Sequence, residues 1–307
     1  MTSDKETLIP RLPLEQKSCL VTGGTSGIGR EIALGLAEMG AEVTLVGRSK
    51  DKCESTLRWL KSKLTSVGID DSASKRISYL VADLSSQRSI RQLAKQYSNG
   101  HEKLDVLVNN AGIFASKRTV TEDGIELTFA VNHLAPFLLT NLMLDQIIAG
   151  KPSRIITTSS VAHRGAKIDF AHLQFEDKPY RGIAAYSQSK LANILFTKEL
   201  ARRLEGSGVT ANCFHPGAVR TNLVGGDSSP WYYKLVWKLG SPFFLSPAKG
   251  ADTAIYLASE PRLEKTGKYF VKRRQVQNSP QGDEMQVAKR LWDISVKLTG
   301  LKENDSN

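Results

Sequence analysis

The chain has 307 residues, 40% of them hydrophobic, and 42 basic against 31 acidic residues give a net charge of +11. This composition excludes a disordered chain, and no apolar run reaches the roughly 18 residues that span a bilayer. The charge would suit nucleic acid or an anionic membrane. However, the basic residues are spread along predicted helices, and the densest cluster, Lys272-Arg273-Arg274, is typical of a solvated loop. We therefore expect no nucleic-acid partner and at most peripheral membrane contact.

The first predicted element follows an N-terminal extension, residues 1–15, and is a strand that ends at Thr22. A glycine-rich turn comes next, then a helix stopped by Gly40 and a second strand, which is the order of a mononucleotide-binding βαβ unit. The turn glycines let the backbone approach a pyrophosphate, and the helix N-terminus offers free N–H groups to its phosphates. The glycine spacing from Gly23 to Gly29, Gly-x-x-x-Gly-x-Gly, differs from the Gly-x-Gly-x-x-Gly dinucleotide fingerprint.

Strands and helices alternate over the rest of the chain, which predicts a parallel sheet with helices on both faces. The predicted fold class is therefore α/β, a single-domain Rossmann fold over residues 16–302 with a doubly wound parallel sheet of about seven strands. The predicted strands are Cys19–Thr22, Glu42–Val46, Ile77–Ala82, Val106–Val108, Arg154–Thr158, Thr210–Phe214 and Tyr269–Val271. The main predicted helices are Ser85–Ser98, Gly124–Ile148, Ala184–Leu204 and Asp283–Leu298.

Tyr186 and Lys190 stand four residues apart in a run rich in Ala, Leu, Lys and Gln, so they share one face of a predicted helix. A phenol titrates at about 10, and a fixed ammonium beside it favours the phenolate and lowers that pKa. The pair can therefore work as a tuned proton donor. A buried tyrosine beside a solvated lysine is the alternative that this spacing alone leaves open.

Several motifs in a fixed order resemble those of a known family. They are Thr22-Gly23-x-x-x-Gly27-x-Gly29, Asn109-Asn110-Ala111-Gly112, Asn132, Ser160, Tyr186-x-x-x-Lys190 and Pro216-Gly217. The chain resembles the short-chain dehydrogenase/reductases over residues 15–300, with the glycine spacing of their compact branch. It is most similar to the retinol dehydrogenase-like group. The similarity to that group is carried by residues 159–165, 173–174, 181–182, 189–193, 215–219, 291–292 and 298–301.

The resemblance implies four catalytic residues. NADPH would supply a hydride to a carbonyl carbon, and Tyr186 would give the proton to its oxygen. Lys190 would bind the nicotinamide ribose and lower the Tyr186 pKa, while Asn132 would hold a water that links Lys190 to solvent. Ser160 would polarise the carbonyl through a hydrogen bond. Ser159 competes for this role, but the family pattern places the second serine of the pair in the site.

The end of the second predicted strand points to the cofactor. An acidic residue there binds the ribose 2′-OH in NAD sites, whereas this chain has Gly47-Arg48-Ser49, and a guanidinium suits a 2′-phosphate. We therefore predict NADP(H) with Arg48 on the phosphate, an ordinary exposed arginine being the alternative. The resemblance implies that Asp83 binds the adenine, although Asp83 can also serve as a helix N-cap. With Arg48 and the contacts that the resemblance implies, the full set of expected cofactor contacts is Gly23, Thr25, Ser26, Gly27, Ile28, Gly29, Arg48, Asp83, Leu84, Asn109, Ala111, Gly112, Tyr186, Lys190, Pro216, Gly217, Val219 and Thr221.

The predicted function is an NADP(H)-dependent oxidoreductase that interconverts a lipophilic aldehyde or ketone and its alcohol, with retinal and retinol as candidates. Aromatic residues between 231 and 244 lie in a segment, residues 222–248, where relatives carry a substrate lid. That segment can instead be a packed helix or touch a membrane surface. The stretch Lys167–Arg181 is expected at the substrate mouth. Two alternative functions stay open: a nicotinamide-nucleotide-binding sensor or scaffold with little turnover, and a reductase of another pigment, steroid or carbonyl compound.

Compartment and partners follow from weaker signals. Cys19, Cys53 and Cys213 are odd in number and lack metal-ligand spacing, so no metal is expected and a reducing cytoplasmic compartment is the simplest setting. Residues 1–16 lack the apolar core of a signal peptide, whereas many animal retinol dehydrogenases carry an N-terminal membrane anchor. We expect a cytoplasmic protein, peripheral to a membrane at most. A homodimer through the helices predicted at Gly124–Ile148 and Ala184–Leu204 is left open.

Overall fold

A computed structural model describes residues 13–69, 76–219 and 244–301 of the chain. Short apolar runs form the strands of one sheet, and most of them are buried on both faces, as a parallel sheet requires. The strands are β1 (Ser18–Thr22), β2 (Glu42–Gly47), β3 (Ile77–Val81), β4 (Val106–Asn109), β5 (Ser153–Thr158), β6 (Val209–His215), β7 (Tyr269–Val271) and β8 (Arg274–Val276).

The sheet order is β3-β2-β1-β4-β5-β6-β7-β8, parallel throughout except for the antiparallel β7–β8 pair. In the register of β1, Val21 lies between Leu45 of β2 and Val108 of β4. The strand order therefore reverses beside β1, and the crevice at the carboxyl ends of β1 and β4 is where an open α/β sheet binds its ligand.

The helices cover both faces of the sheet. Serine side chains cap three of them: Ser49 accepts from the Lys52 N–H, Ser86 from the Ser89 N–H and Ser246 from the Lys249 N–H. The helices are α1 (Gly27–Glu38), α2 (Lys50–Ser66), α3 (Gln87–Gly100), α4 (Leu127–Phe129), α5 (Ala135–Leu142), α6 (Leu144–Ala149), α7 (Gly182–Arg203), α8 (Pro247–Ser259) and α9 (Met285–Thr299).

Alternate residues of the strands build two separate cores. Leu20 of β1 joins a core with α3, α5, α7 and α9, whereas its neighbour Val21 joins a core with α1, α2 and α8. This follows from the strand period of two residues, which sends successive side chains to opposite faces. The predicted doubly wound α/β fold is therefore confirmed.

Most predicted elements agree with the structure within one or two residues, and two differ. The predicted helix Gly124–Ile148 is not continuous, because a π-helical turn at Ala130–Leu134 separates α4 from α5 and a break at Met143 separates α5 from α6. The eighth strand, β8, was not predicted. It pairs with β7 through a tight turn at Lys272 and Arg273, both of which have positive φ angles and exposed side chains. The predicted solvated loop is thus a two-residue turn, because Arg274, its third member, begins β8.

Helix α9 packs against α5 and α7 of the same chain. Trp292 packs edge-on against Phe137, with ring centroids 4.9 Å apart, and stacks on Phe196, with centroids 6.0 Å apart. The His133 Nε2 lies 2.9 Å from the Ser295 hydroxyl. The sequence leaves open a homodimer formed through the helices predicted at Gly124–Ile148 and Ala184–Leu204. Helix α9 covers part of the surface of these helices, and the homodimer stays a prediction. None of the helices in the three described ranges is long and apolar enough to cross a membrane.

Candidate active site

The glycine turn between β1 and α1 requires its glycines. Gly23 and Gly27 have φ angles of +65° and +53°, and a Cβ on Gly29 would collide with the Gly23 carbonyl oxygen. Ser26 is the N-cap of α1, yet its side chain makes no capping hydrogen bond. The first N–H groups of α1 are therefore available to an anionic ligand, which fits the phosphates of a dinucleotide.

Arg48 lies directly beside this turn. A Cβ on Gly47 would collide with the Thr25 methyl group, so the end of β2 touches the glycine turn. The Arg48 side chain is exposed and makes no ion pair with any residue that the structure describes. A free guanidinium in this place fits a phosphate on the adenosine ribose.

The turn after β4 is tied to the end of β1. The Thr22 hydroxyl accepts hydrogen bonds from the backbone N–H groups of Asn110 and Ala111 at 3.0 and 3.1 Å, and the Asn110 amide donates to the Thr22 carbonyl at 3.0 Å. The Asn109 amide donates to Thr140 of α5 at 3.0 Å. A cleft at this point brings several predicted contacts together, and its lining includes Thr22, Leu84, Asn109 and Ala111.

Asp83 does not cap α3, since the N-cap is Ser86. The Asp83 carboxylate instead accepts from the Ser85 N–H at 2.9 Å and from the Ser85 hydroxyl at 2.7 Å, and Asp83 is exposed. Its neighbour Leu84 lines the cleft. The adenine contact assigned to Asp83 stays a prediction.

The π-helical turn places Asn132 in the interior, where its amide holds the chain after Gly112. The Asn132 Oδ1 accepts from the Ile113 N–H at 2.8 Å, and its Nδ2 donates to the Ile113 carbonyl and to the Ser189 hydroxyl, each at 3.0 Å. Ser189 in turn donates to the Tyr186 carbonyl at 2.7 Å. Asn132 is therefore bonded to α7 at the turn that carries Tyr186, and only Oδ1 keeps a lone pair for the predicted water.

Lys190 is buried on the inner face of α7, with 2% of its surface exposed. Its Nζ donates to the Thr158 carbonyl at 3.2 Å, and the Asn193 amide donates to the same oxygen at 3.0 Å. A Cβ on Gly112 would lie 3.4 Å from Nζ and 3.3 Å from the Asn132 Oδ1. The missing side chain of Gly112 thus leaves room beside the ammonium, and burial lowers the pKa of Lys190 to about 8.

Tyr186 stands one helical turn before Lys190, and the Lys190 Nζ lies 5.5 Å from the centre of its ring. Burial raises the pKa of Tyr186 to about 12, and hydrogen bonding with the Ser160 side chain opposes that rise. Burial is the larger of these two effects because it disfavours the charged phenolate, and the expected lowering of this pKa by Lys190 stays a prediction. The phenol therefore keeps its proton at neutral pH and is ready to act as an acid.

The two candidate serines differ in what they contact. Ser159 is buried, and its hydroxyl donates to the Lys190 carbonyl at 2.8 Å, so it joins β5 to α7. Ser160 is partly exposed and begins a 3-10 turn, Val161–Gly165, in which its hydroxyl accepts from the Ala162 N–H at 3.2 Å. Only Ser160 of this pair acts on the Tyr186 phenol, which supports the choice of the second serine.

The loop after β6 borders the same crevice. Gly217 has a φ angle of +89°, and Val219 is buried, pairs with Leu245 and lies against the place where a Cβ on Gly250 would be. Pro216 precedes this turn and is partly exposed. Thr221 and the proposed lid up to residue 243 lie outside the described residues, so their expected roles stay predictions.

The stretch Lys167–Arg181 is anchored to the elements that carry the catalytic residues. The Gln174 side chain accepts from the Glu126 N–H at 2.9 Å, and the Tyr180 hydroxyl donates to the buried Glu126 carboxylate at 2.9 Å. The Gln188 amide of α7 holds the Leu173 carbonyl at 2.9 Å. These bonds fix the stretch against α4 and α7, beside Tyr186.

Sequence reasoning missed several residues that build the site. Thr22 was named only as part of the glycine motif. The bonds that Lys190 and Asn193 both donate to the Thr158 carbonyl were not predicted. His163 is completely buried directly behind Ser160. A polar residue inside an apolar strand or helix run was the available signal for Thr22 and Asn193, but the identity of a partner far along the chain cannot be read from that signal.

Comparison with known proteins assigns the family. The family model described as short chain dehydrogenase matches residues 17–230. The chain belongs to this family. Retinol dehydrogenase 13 of Homo sapiens is 41% identical over 290 residues, which cover 93% of this chain and 85% of that protein.

Solved structures of the family agree with the fold. The crystal structure of an uncharacterised protein from Mycobacterium paratuberculosis superposes with a TM-score of 0.74 at 32% identity and covers 94% of this chain and 96% of that one. RhlG of Pseudomonas aeruginosa, solved as an active-site complex with NADP, superposes with a TM-score of 0.65 at 26% identity and covers 85% and 97%. This short-chain dehydrogenase is therefore an oxidoreductase of the retinol dehydrogenase-like group, and its relatives support a nicotinamide cofactor.

Proposed function

We propose that the protein is an NADP(H)-dependent oxidoreductase that interconverts a lipophilic aldehyde or ketone and its alcohol. The observation that carries this proposal is the grouping of Tyr186 with Ser160, which opposes the rise in its pKa, and with the buried Lys190, whose Nζ lies 5.5 Å from the Tyr186 ring. Lys190 Nζ and Asn132 Oδ1 both face the space beside Gly112. A protein that only bound a nucleotide would have no use for a protonated phenol beside a hydroxyl donor and a buried ammonium. The sensor function is therefore the weaker alternative.

The residues divide the work of reduction among themselves. The cofactor, when bound, supplies the hydride. The Tyr186 phenol, protonated at neutral pH, gives its proton to the carbonyl oxygen, and the Ser160 hydroxyl donates a hydrogen bond to the same oxygen. Lys190 holds the ribose hydroxyls and, while charged, favours the phenolate that remains after proton transfer. In the oxidative direction Tyr186 acts as the base.

The preference for NADP(H) rests on Arg48. We expect the exchange Arg48→Glu to remove about 1.5–3 kcal/mol of charge-assisted binding to the 2′-phosphate and so to raise the dissociation constant for NADPH roughly 10- to 100-fold. The dissociation constant for NADH should fall or stay level, because a carboxylate can bind the free 2′-OH. Titration of both cofactors by fluorescence measures this.

The control for this exchange is Arg262→Glu, which makes the same change of charge at an exposed arginine in the loop after α8. It should leave both dissociation constants unchanged. If the ratio of NADPH to NADH affinity is the same in Arg48→Glu, Arg262→Glu and the wild type, the assignment of Arg48 to the phosphate is wrong.

The substrate class is supported by the relatives named retinol dehydrogenase and by exposed apolar residues next to the catalytic ones. Val161 follows Ser160 directly, Ile183 precedes Tyr186 by three residues, and each exposes more than half of its surface, 51% and 60%. Exposed apolar side chains this close in sequence to catalytic residues favour an apolar substrate. Initial rates with aldehydes of rising chain length and with retinal should show kcat/KM increasing with chain length. Equal values for short and long aldehydes would contradict a lipophilic substrate.

A further inference from the structure

His163 lies three residues after Ser160 and has no exposed surface. Its Nδ1 is 2.5 Å from the Ser160 carbonyl oxygen, and its Nε2 is 3.1 Å from the backbone nitrogen of Ser279. Its ring packs edge-on against Tyr269 of β7, with centroids 5.0 Å apart. The imidazole is therefore held on three sides, between the turn that carries Ser160 and the segment that leads to α9.

The partners of this imidazole fix its tautomer. A backbone N–H can only donate, so the Ser279 N–H requires a bare Nε2 as its acceptor. The proton of a neutral ring then lies on Nδ1 and is donated to the Ser160 carbonyl. In a charged ring Nε2 would carry a proton, and two donors, Nε2–H and the Ser279 N–H, would face each other. Burial also lowers the pKa of His163, which agrees with a neutral ring.

The consequence falls on Ser160. Its carbonyl accepts from both the His163 N–H, at 3.2 Å, and the His163 Nδ1, so the peptide plane that follows Ser160 is held by two donors. The direction of the Ser160 side chain depends on that plane. The hydroxyl in turn accepts from the Ala162 N–H, and it lies close enough to the Tyr186 phenol to oppose the rise in the pKa of that phenol.

We propose that His163 is a positioning residue, whose Nδ1–H, bonded to the Ser160 carbonyl, keeps the Ser160 hydroxyl aligned with Tyr186. His163 touches neither substrate nor cofactor and acts only through Ser160. The Ser279 N–H selects the tautomer that makes this bond, which links the C-terminal segment to the alignment of the active-site serine. This inference rests on the proposed carbonyl reduction, in which Ser160 binds the substrate oxygen.

Two substitutions test the two hydrogen bonds of the imidazole separately. In His163→Asn the amide Nδ2–H takes the place of Nδ1 and keeps the bond to Ser160 but loses Ser279. In His163→Gln the amide oxygen takes the place of Nε2 and keeps the bond to Ser279 but loses Ser160. We expect His163→Asn to retain kcat within about threefold and His163→Gln to lose about 10- to 100-fold in kcat, the scale of a small misplacement of a catalytic group. The NADPH dissociation constant should stay unchanged in both variants.

A purely structural role for His163 predicts a different pattern. Both variants would then lose kcat alike, in step with their melting temperatures, and that outcome would overturn the positioning role. Rescue by asparagine but not by glutamine, at similar melting temperatures, would support it.

The tautomer can be measured without any turnover. Nitrogen-15 spectra of the imidazole rings, with His163→Asn used to assign the His163 signals, should show a protonated Nδ1 and a bare Nε2 at neutral pH. A protonated Nε2 would overturn the arrangement whatever the activity. A wild-type protein that binds NADPH and reduces no carbonyl would instead refute the proposed function, and with it the catalytic meaning of the alignment.

Discussion

At the scale of single residues, burial shifts the pKa values of Tyr186 and Lys190 in opposite directions. It raises the pKa of the phenol to about 12 and lowers the pKa of the ammonium to about 8. In both cases the neutral form is favoured, because a charge loses its hydration inside the protein. Near neutral pH the phenol is fully protonated and the lysine is mostly charged, which is the pair of states that reduction needs.

The rate of reduction should therefore depend on pH through Lys190. Lysine is charged below its pKa, so kcat should be level below about pH 7, fall as the pH rises through about 8, and level off again well before Tyr186 ionises. The substitution Lys190→Arg should lower kcat but remove this fall, because a guanidinium stays charged. Measurement of kcat against pH for both proteins tests this. A wild-type profile that stays level up to the ordinary lysine pKa of about 10.4 would contradict the shift.

At the scale of elements, the position of α9 gives the catalytic helices their outer support. Trp292 exposes 4% of its surface and packs on Phe137 of α5 and Phe196 of α7, and the Arg203 guanidinium lies 4.3 Å from the centre of its ring. Ser295 and Thr299 are buried on the same helix. The helix that carries Tyr186 and Lys190 is thus held between the sheet and α9.

Removal of the Trp292 side chain should loosen this support. We expect Trp292→Ala to lower the free energy of unfolding by about 3–5 kcal/mol, the cost of a large aromatic cavity in a core. The control Met285→Ala, at an exposed position of α9, should change it by less than about 0.5 kcal/mol. Urea denaturation with unchanged slopes measures both values. Equal effects would show that α9 is not docked as described.

The sequence predicts the elements well where a periodic apolar pattern governs them. The apolar runs around Leu20, Leu45 and Ile155 mark their strands, because a parallel strand buried on both faces must be apolar almost throughout. The π-helical turn at Ala130–Leu134 was missed, since one extra residue in a helical turn leaves the apolar pattern of Gly124–Ile148 readable as one helix. The strand β8 was missed because Arg-Gln-Val has no such pattern.

The candidate site could be predicted only as a set of residue types. The order of Gly23, Ser160, Tyr186 and Lys190 along the chain indicates the family chemistry, but the partners of those residues lie far apart in sequence. The bond from His163 to Ser279 spans 116 positions, and the bond from Lys190 to the Thr158 carbonyl depends on the pairing of α7 with β5. The burial that raises the Tyr186 pKa could not be predicted either, because the degree of burial is a property of the tertiary fold.

At the scale of the whole molecule, most predicted site residues that the structure describes lie in the glycine turn, at the carboxyl ends of the strands or in the turns that follow them. Arg48 and the first turn of α1 lie at one end of this crevice, and Ser160 and Tyr186 lie at the other. A net charge of +11 favours the approach of an anionic dinucleotide. Under the proposed function, the phosphates would bind at the first of these ends and the carbonyl group at the second.

The most direct test of this account is the rate of NADPH consumption with retinal and a long-chain aldehyde, for the wild type and for Tyr186→Phe. Phenylalanine keeps the ring against Phe114 and removes only the hydroxyl. We predict turnover by the wild type and a loss of about 10²- to 10⁴-fold in Tyr186→Phe, the range that general acid catalysis supplies, with NADPH affinity and melting temperature unchanged. Turnover that Tyr186→Phe leaves intact, or a wild type that binds NADPH tightly and consumes none with either substrate, would contradict the proposed reaction.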